Sequence, residues 1–191
     1  MSARFVRSAY AGLVTETPVD YTATLARKRM GAGVLFHDAG GRVLIVEPTY
    51  KDYWEIPGGA VDADEAPLDT AAREIKEELG LLVQPGRLLA VDWVPPRGGR
   101  TEGMMFVFDG GQLTTEQLSG IELAVDELRS WAWCYPVQAA QRLSPLLARR
   151  AAAALQASAS SSTVYLENGY LRVCWTRPPP LTTAPPPKSM S

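Results

Sequence analysis

Residues 58–81 read GGAVDADEAPLDTAAREIKEELGL, and the fold of the chain turns on what this stretch does. From Pro67 to Leu79 its composition predicts a helix, and proline suits the first turn because its missing N–H is not needed there. At about 100° per residue, Glu74, Glu77 and Glu78 then share one face at i, i+3 and i+4. Ala72, Ile75 and Leu79 gather on a different side, where a core can take them. Three carboxylates so placed repel one another and raise each other's pKa values. A divalent cation removes that penalty, and hard oxygen donors suit Mg²⁺ or Mn²⁺. Arg73 sits one turn before Glu77 and can hold a carboxylate in its planar fork of donors. Ala66, just before Pro67, offers no side-chain cap, an omission that costs about 1 kcal/mol. Glu65 partly replaces it if it faces the helix N-terminus.

A run such as REIKEEL is by itself most often a solvated helix face. The wider spacing changes that reading. Gly59, Glu65, Arg73, Glu74, Glu77, Glu78 and Gly80, with bulky Ile75 and Leu81, fit G-x5-E-x7-R-E-U-x-E-E-x-G-U, where U is an aliphatic residue. At usual residue frequencies, chance gives such a set in well under about one chain in 100,000. The pattern resembles the signature of the Nudix hydrolases, and the WEIPGG lead-in at 54–59 is also similar to theirs. The resemblance covers roughly residues 30–157 and implies an α/β fold: an α/β/α sandwich with a mixed β-sheet and a catalytic strand–loop–helix.

It further implies a pyrophosphohydrolase, dependent on Mg²⁺ or Mn²⁺, that cleaves a nucleoside diphosphate linked to another group. Metal ions offset the charge of the anhydride, and a carboxylate takes or directs the proton of the attacking water. On this resemblance Glu74 and Glu78 are metal ligands, and Glu77 shares ligation or polarises the water. Arg73 orients the carboxylates, Glu65 braces the loop, Gly59 lends a backbone carbonyl and Gly80 closes the helix. Family members often carry a further glutamate, as base or extra ligand, before the last strand; Glu127 is the first candidate and Glu122 the second. ADP-ribose or another nucleotide sugar is favoured by the 95–103 loop, with Arg97 and Arg100, and by Pro96, fifteen positions after Leu81. A triphosphate pyrophosphatase that cleans the nucleotide pool is the close alternative, and a non-catalytic nucleotide sensor is the alternative of another class. Tyr50, Trp54 and Trp93 are candidates to stack a base or to fill the core.

Outward from the motif, 31–37 (GAGVLFH) and 42–47 (RVLIVE) are apolar runs either side of Asp38-Ala39-Gly40-Gly41, which predicts a hairpin. Gly31-Ala32-Gly33 is not a dinucleotide fingerprint, since Phe36 stands at the third glycine position, and no G-x4-G-K-[ST] loop occurs. His37 is the only histidine, expected at an exposed strand end, with nothing near it in sequence to complete a Ser-His-Asp set. The basic run 27–29 is either a solvated lead-in or a phosphate-facing patch. Residues 53–59 predict a strand that breaks sharply, and 88–94 and 104–109 predict two more. An acidic stretch from 121 leads to an aromatic strand, in which Trp131 and Trp133 are expected to divide between core and pocket. Ser144-Pro145 opens a helix through about 157, a flexible break follows at 158–162, and Asn168-Gly169 turns a second hairpin.

With 46% hydrophobic and 21% charged residues and a net charge of −2, the chain has the balance of a soluble globular domain. That charge gives no field to draw it to nucleic acid or an anionic membrane. Two cysteines without metal-ligand spacing fit a reducing cytoplasm, and neither a secretory signal nor a membrane span is expected. The expected layout is an N-terminal extension or edge strand at 1–26, the hydrolase domain at 27–176 and a disordered proline-rich tail at 177–191. The expected partner is a small nucleotide substrate; the resemblance is also compatible with a homodimer.

Overall fold

The computed structural model describes residues 24–172. The expectations for the first 23 residues, for the proline-rich tail and for the end of the second hairpin lie outside them. The strands are β1 (Arg29–Phe36), β2 (Val43–Pro48), β3 (Gly58–Ala60), β4 (Leu88–Val94), β5 (Gly103–Gly111), β6 (Leu128–Cys134), β7 (Val164–Glu167) and β8 (Tyr170–Leu171). The helices are α1 (Pro67–Leu79), α2 (Thr115–Ser119), α3 (Pro136–Arg142) and α4 (Pro145–Ala159). Six strands form one sheet in the order β3-β1-β5-β4-β7-β8. β1 runs parallel to β5, and β4 to β7, while the other pairs are antiparallel, so the sheet is mixed as expected.

The sheet separates two cores. Ala32, Val34 and Phe36 of β1 meet Ala71, Ile75 and Leu79 of α1 on one face. Leu35, Ala90, Val107 and Leu166 meet Ala151, Ala154 and Ala157 of α4 on the other. This is the α/β/α sandwich, with α1 and α4 as outer layers. On α1 the core stripe is Ala71, Ile75, Leu79 at i, i+4 and i+8, and Ala72 is only half-buried beside it. The stripe is thus one residue off the expected Ala72. Glu78 lies on its margin and is buried with it.

The hairpin expected from 31–47 is present only as a single bridge, His37 to Val43. Its turn forms as expected: Asp38 Oδ1 accepts from the backbone N–H of Gly40 at 2.9 Å and Arg42 at 2.8 Å. Beyond it β2 leaves the sheet and pairs with β6 in a separate antiparallel ribbon. The sequence gives the reason: β2 is apolar at every position from Val43 to Val46, with no wet face. Val43 and Ile45 enter one core while Leu44 and Val46 enter the other. Trp131 and Trp133 of β6, two residues apart, share a face, and both pack against the α1 core; the expected division between core and pocket is not found.

Three smaller corrections follow. Residues 53–59 form two isolated bridges, Val46–Glu55 and Trp54–Leu143, before the short β3 rather than one strand. Helix α4 continues through Ala159, so the break expected from 158 begins later; its Ser144 cap accepts from Leu147 N at 3.3 Å. His37 is half-buried, and Ser158 Oγ (3.4 Å) and Asp109 Oδ1 (3.8 Å) both approach its Nε2. That is no catalytic relay: one ring nitrogen serves both partners, and the Ser158 hydroxyl donates to Asp109 Oδ2 at 3.1 Å. The Asn168-Gly169 turn forms, with φ of 53° and 76°. Among the described residues no helix is long and apolar enough to cross a membrane.

Helix α1 begins at an Ala66 whose backbone is already extended (φ −80°, ψ 142°) and whose side chain caps nothing. Ser at this position fits that backbone and can accept from a first-turn N–H. Ala66→Ser is therefore expected to stabilise the protein by about 1 kcal/mol, read as a higher urea midpoint with unchanged slope. An unchanged or lower midpoint contradicts the uncapped start.

Candidate active site

Four acidic side chains and one arginine meet where α1 crosses β3. Arg73 is the hub. Its Nε and Nη2 each donate to Glu65 at 2.9 Å, a bidentate grip, while Nη1 donates at 2.9 Å to both Glu74 Oε1 and Glu77 Oε2. Nη2 also reaches the carbonyl of Ala60 at 3.3 Å. Glu65 accepts further from Thr70 Oγ1 at 2.6 Å and Asp62 N at 3.3 Å. It ties the loop to the helix through Thr70 and Arg73 rather than through the free N–H groups of the first turn. The Arg73 guanidinium, with help from Thr70, holds the Glu65 carboxyl down at about 2. Glu65 in turn, more than Glu77 and Glu74, keeps Arg73 protonated above the ordinary arginine range.

Glu78 and Glu74 are pushed the opposite way. Glu78 is 7% exposed, and burial raises its carboxyl to about 8, with the charges of Glu74, Glu55 and Glu127 adding. One hydrogen bond works against that rise: Gly58 N donates to Glu78 Oε2 at 2.9 Å. Burial also raises Glu74, opposed by Arg73 and reinforced by Glu77 and Glu127. Glu77 lies at the open side of the cluster, its side chain 54% exposed and paired with Arg73.

Two glycines make this packing possible. At Gly59 a Cβ would stand 2.2 Å from Glu74 Oε1, so the carboxylate occupies the space any larger residue would fill. At Gly58 φ is 142° and a Cβ would lie 2.3 Å from the carbonyl oxygen of Ala32. Gly80 ends α1 in the left-handed conformation, φ 69°, with its N–H bonded to Lys76 O at 3.1 Å. The two expected extra glutamates are placed differently. Glu127 acts electrostatically on both Glu74 and Glu78. Glu122 sits at the far end of α1, its N–H bonded to Leu79 O at 2.9 Å and its Cβ against Gly80.

A cleft of about 420 Å³ opens beside Gly58, Gly59 and Ala60. Arg29, Lys51, Arg100 and Arg150 bring positive charge to it, and Ile56, Met105, Val107 and Leu147 bring apolar surface. Tyr50 lines it and is 71% exposed. Other expected substrate contacts lie elsewhere. Arg97 is exposed outside the cleft, in a tight turn where Gly98 and Gly99 take φ of 57° and 77°. Trp54 packs into the α4 core, with the Arg142 guanidinium 4.5 Å from its ring, and so is not free to stack a base. Trp93 is half-buried and donates from Nε1 to Glu102 at 2.8 Å. Of the basic run, Arg29 reaches the cleft while Lys28 pairs with Glu102.

Sequence reasoning passed over Glu55, Lys51, Asp92 and Arg150. The last two carried a signal: Arg150 falls on the same stripe of α4 as Ala154 and Ala157, and Asp92 has the inward parity of Ala90 in β4. Among the described residues, no three His, Cys, Asp or Glu side chains converge as a ready-made metal cage.

The NUDIX domain model matches residues 27–156. The MutT-like protein of Streptomyces ambofaciens is 29% identical over 119 residues, 62% of this chain and 71% of that protein. The phosphatase NudJ of Escherichia coli strain K12 is 31% identical over 116 residues, 58% of this chain and 72% of its own. Among solved structures, a UDP-X diphosphatase superposes with a TM-score of 0.59 at 19% identity, covering 79% of this chain and 76% of that one, a likeness of fold. A family model spanning well over half the chain, on a matching α/β/α frame, identifies it as a member of the Nudix hydrolase family, acting on phosphorus-containing acid anhydrides.

Proposed function

We propose that the protein is a divalent-metal-dependent pyrophosphohydrolase that splits the phosphoanhydride of a nucleoside diphosphate linked to a second group, of the nucleotide-sugar type. The observation that supports this most is the pair Glu74 and Glu78: two packed carboxylates, both with raised pKa, set against the bare backbone of Gly58 and Gly59 at the edge of a basic cleft. Such a pair fits Mg²⁺ or Mn²⁺. Mg²⁺ typically uses one or two carboxylates and completes its shell with water and substrate phosphate, so a closed protein cage is not required. Glu74 and Glu78 would hold the ion, with the Gly59 backbone beside them and Glu77 within reach at the open side. When bound, the ion supplies charge to offset the anhydride and its leaving group.

The side chains divide the remaining work. Arg73 fixes the angle of Glu74 and Glu77, and Glu65 fixes Arg73. Glu127, in the loop before β6 and adding by its charge to the rise of Glu74 and Glu78, accepts the proton of the attacking water. Arg29 and Arg100 draw the anionic chain of the substrate into the cleft, while Lys51 there is paired with Glu55 at 2.6 Å, and Tyr50 offers a ring face. Of the loop taken to favour ADP-ribose, only Arg100 reaches the cleft, so the nature of the second group rests on the cleft as a whole. No observation favours a sensor that binds without cleaving.

Glu78→Gln is expected to lower kcat by two to three orders of magnitude, about the cost of one electrostatic contact to the transition state, with an unchanged circular dichroism spectrum. Near-normal turnover would remove α1 from the chemistry. A second expectation concerns pH. In the metal-free protein the unfolded chain releases the Glu78 proton near 4.5 whereas the folded chain keeps it to about 8. Stability from this group is therefore complete below 4.5 and declines as pH rises to about 8, by a few kcal/mol in order of magnitude. Glu78→Gln should flatten that decline, and added Mg²⁺ should raise the melting temperature most at the alkaline end. Equal slopes in both proteins would show that the site does not bury an ionisable carboxyl.

A further inference from the structure

Arg150 is an anomaly on α4. Its neighbours on the buried stripe are Ala151, Ala154 and Ala157, and its own side chain is 8% exposed. A guanidinium persists in such a place only when it is paired. The pair is Asp92, wholly buried, whose Oδ2 accepts from Arg150 Nε at 2.8 Å. Asp92 Oδ1 accepts from Gly169 N at 3.0 Å, so the carboxylate is anchored by both oxygens. Among the described residues, Arg150 makes that one hydrogen bond, through Nε. Its terminal nitrogens are left over, and Arg150 lines the cleft beside Leu147.

The charge at this point is already cancelled. A phosphate brought to Arg150 would also meet the buried Asp92 carboxylate, in surroundings where repulsion is poorly screened. Arg29 and Arg100, also in the cleft, form no ion pair among the described residues and suit the anionic chain better. Arg150 offers instead a fixed edge of N–H donors in a neutral setting among Ile56, Met105, Val107 and Leu147. That combination of apolar walls and one polar edge suits a planar ring with acceptors on its rim.

We propose that Arg150, held by Asp92, reads the nucleobase of the substrate and selects a purine with a carbonyl at position 6 over one with an amino group there; this rests on the nucleotide-hydrolase reading above. The fork of an arginine meets O6 and N7 of a 6-oxopurine with two hydrogen bonds. Against adenine one of its donors faces the N6 amino donor, and a buried donor without a partner is what makes polar discrimination strong.

IDP-ribose and ADP-ribose differ only in the base, at the 6 substituent and in the proton on N1 that accompanies the 6-oxo group. The wild type is expected to favour IDP-ribose over ADP-ribose in kcat/KM by about tenfold or more, and calorimetry should show the same order for IMP against AMP without turnover. Arg150→Lys keeps the charge beside Asp92 but loses the fork, and should bring both ratios towards unity at an unchanged melting temperature. If that variant fails to fold, Arg150→Met combined with Asp92→Leu removes the whole pair and serves in its place. Equal handling of the two bases by the wild type, or a preference that survives either variant, overturns the proposal. A wild type that cleaves no nucleotide would count against the hydrolase reading, while the monophosphate titrations would still decide for or against Arg150.

Discussion

The structure depends on one cation held among carboxylates. Arg73 touches Glu65, Glu74 and Glu77 at once, and each contact is 2.9 Å. Without it, α1 would present a set of like charges to β3 with only burial acting on them, and helix and strand would be driven apart. With it, the loop at Glu65, the helix and the Ala60 carbonyl become one rigid unit, in which a carboxylate can be packed onto a glycine. Glu78 is the one acidic group of α1 near the strand that Arg73 does not reach. It is also the most strongly perturbed, held by burial and a single backbone N–H. Arg73 holds three carboxylates directly and leaves Glu78 to burial and one N–H, a strongly perturbed acid of the kind that marks reactive sites.

The frame around this unit is unusually shared. The β2–β6 ribbon sends alternate residues into both cores, so the α1 layer and the α4 layer are wedged by the same strand. Since Glu127 leads into β6 and accepts at its carbonyl from Thr49 N at 2.7 Å, the ribbon also sets the loop that faces the acidic cluster. Packing of the cores and placement of that glutamate are thus one problem, solved by one pair of strands.

Much of this was legible in the chain. The bounds of α1 and the clustering of Glu65, Arg73 and Glu74 follow from spacing that only a helix brings together. Failures came where a local pattern admits two partners. Residues 31–47 carry hairpin chemistry in their turn, yet the unbroken apolar run of β2 needs two buried faces and so cannot stay beside β1. Trp131 and Trp133 cannot divide between core and pocket, because residues two apart in a strand point the same way. Trp54 and Arg97 look like ligand-binding residues by type, and only tertiary packing shows the first covered and the second turned outward. Asp92 and Arg150 lie 58 positions apart, beyond any local window.

Gly58 and Gly59 carry one more implication. Both line the cleft, Glu74 packs on Gly59 and Gly58 N donates to Glu78, so cleft and acidic cluster adjoin across bare backbone with no side chain in the way. The field of those acids therefore reaches the cleft with little intervening matter to polarise. A methyl group at Gly59 would dislodge the Glu74 carboxylate, while one at Gly58 would strike the Ala32 carbonyl and part β3 from β1. Binding and chemistry here share a single stretch of main chain, and they cannot drift independently.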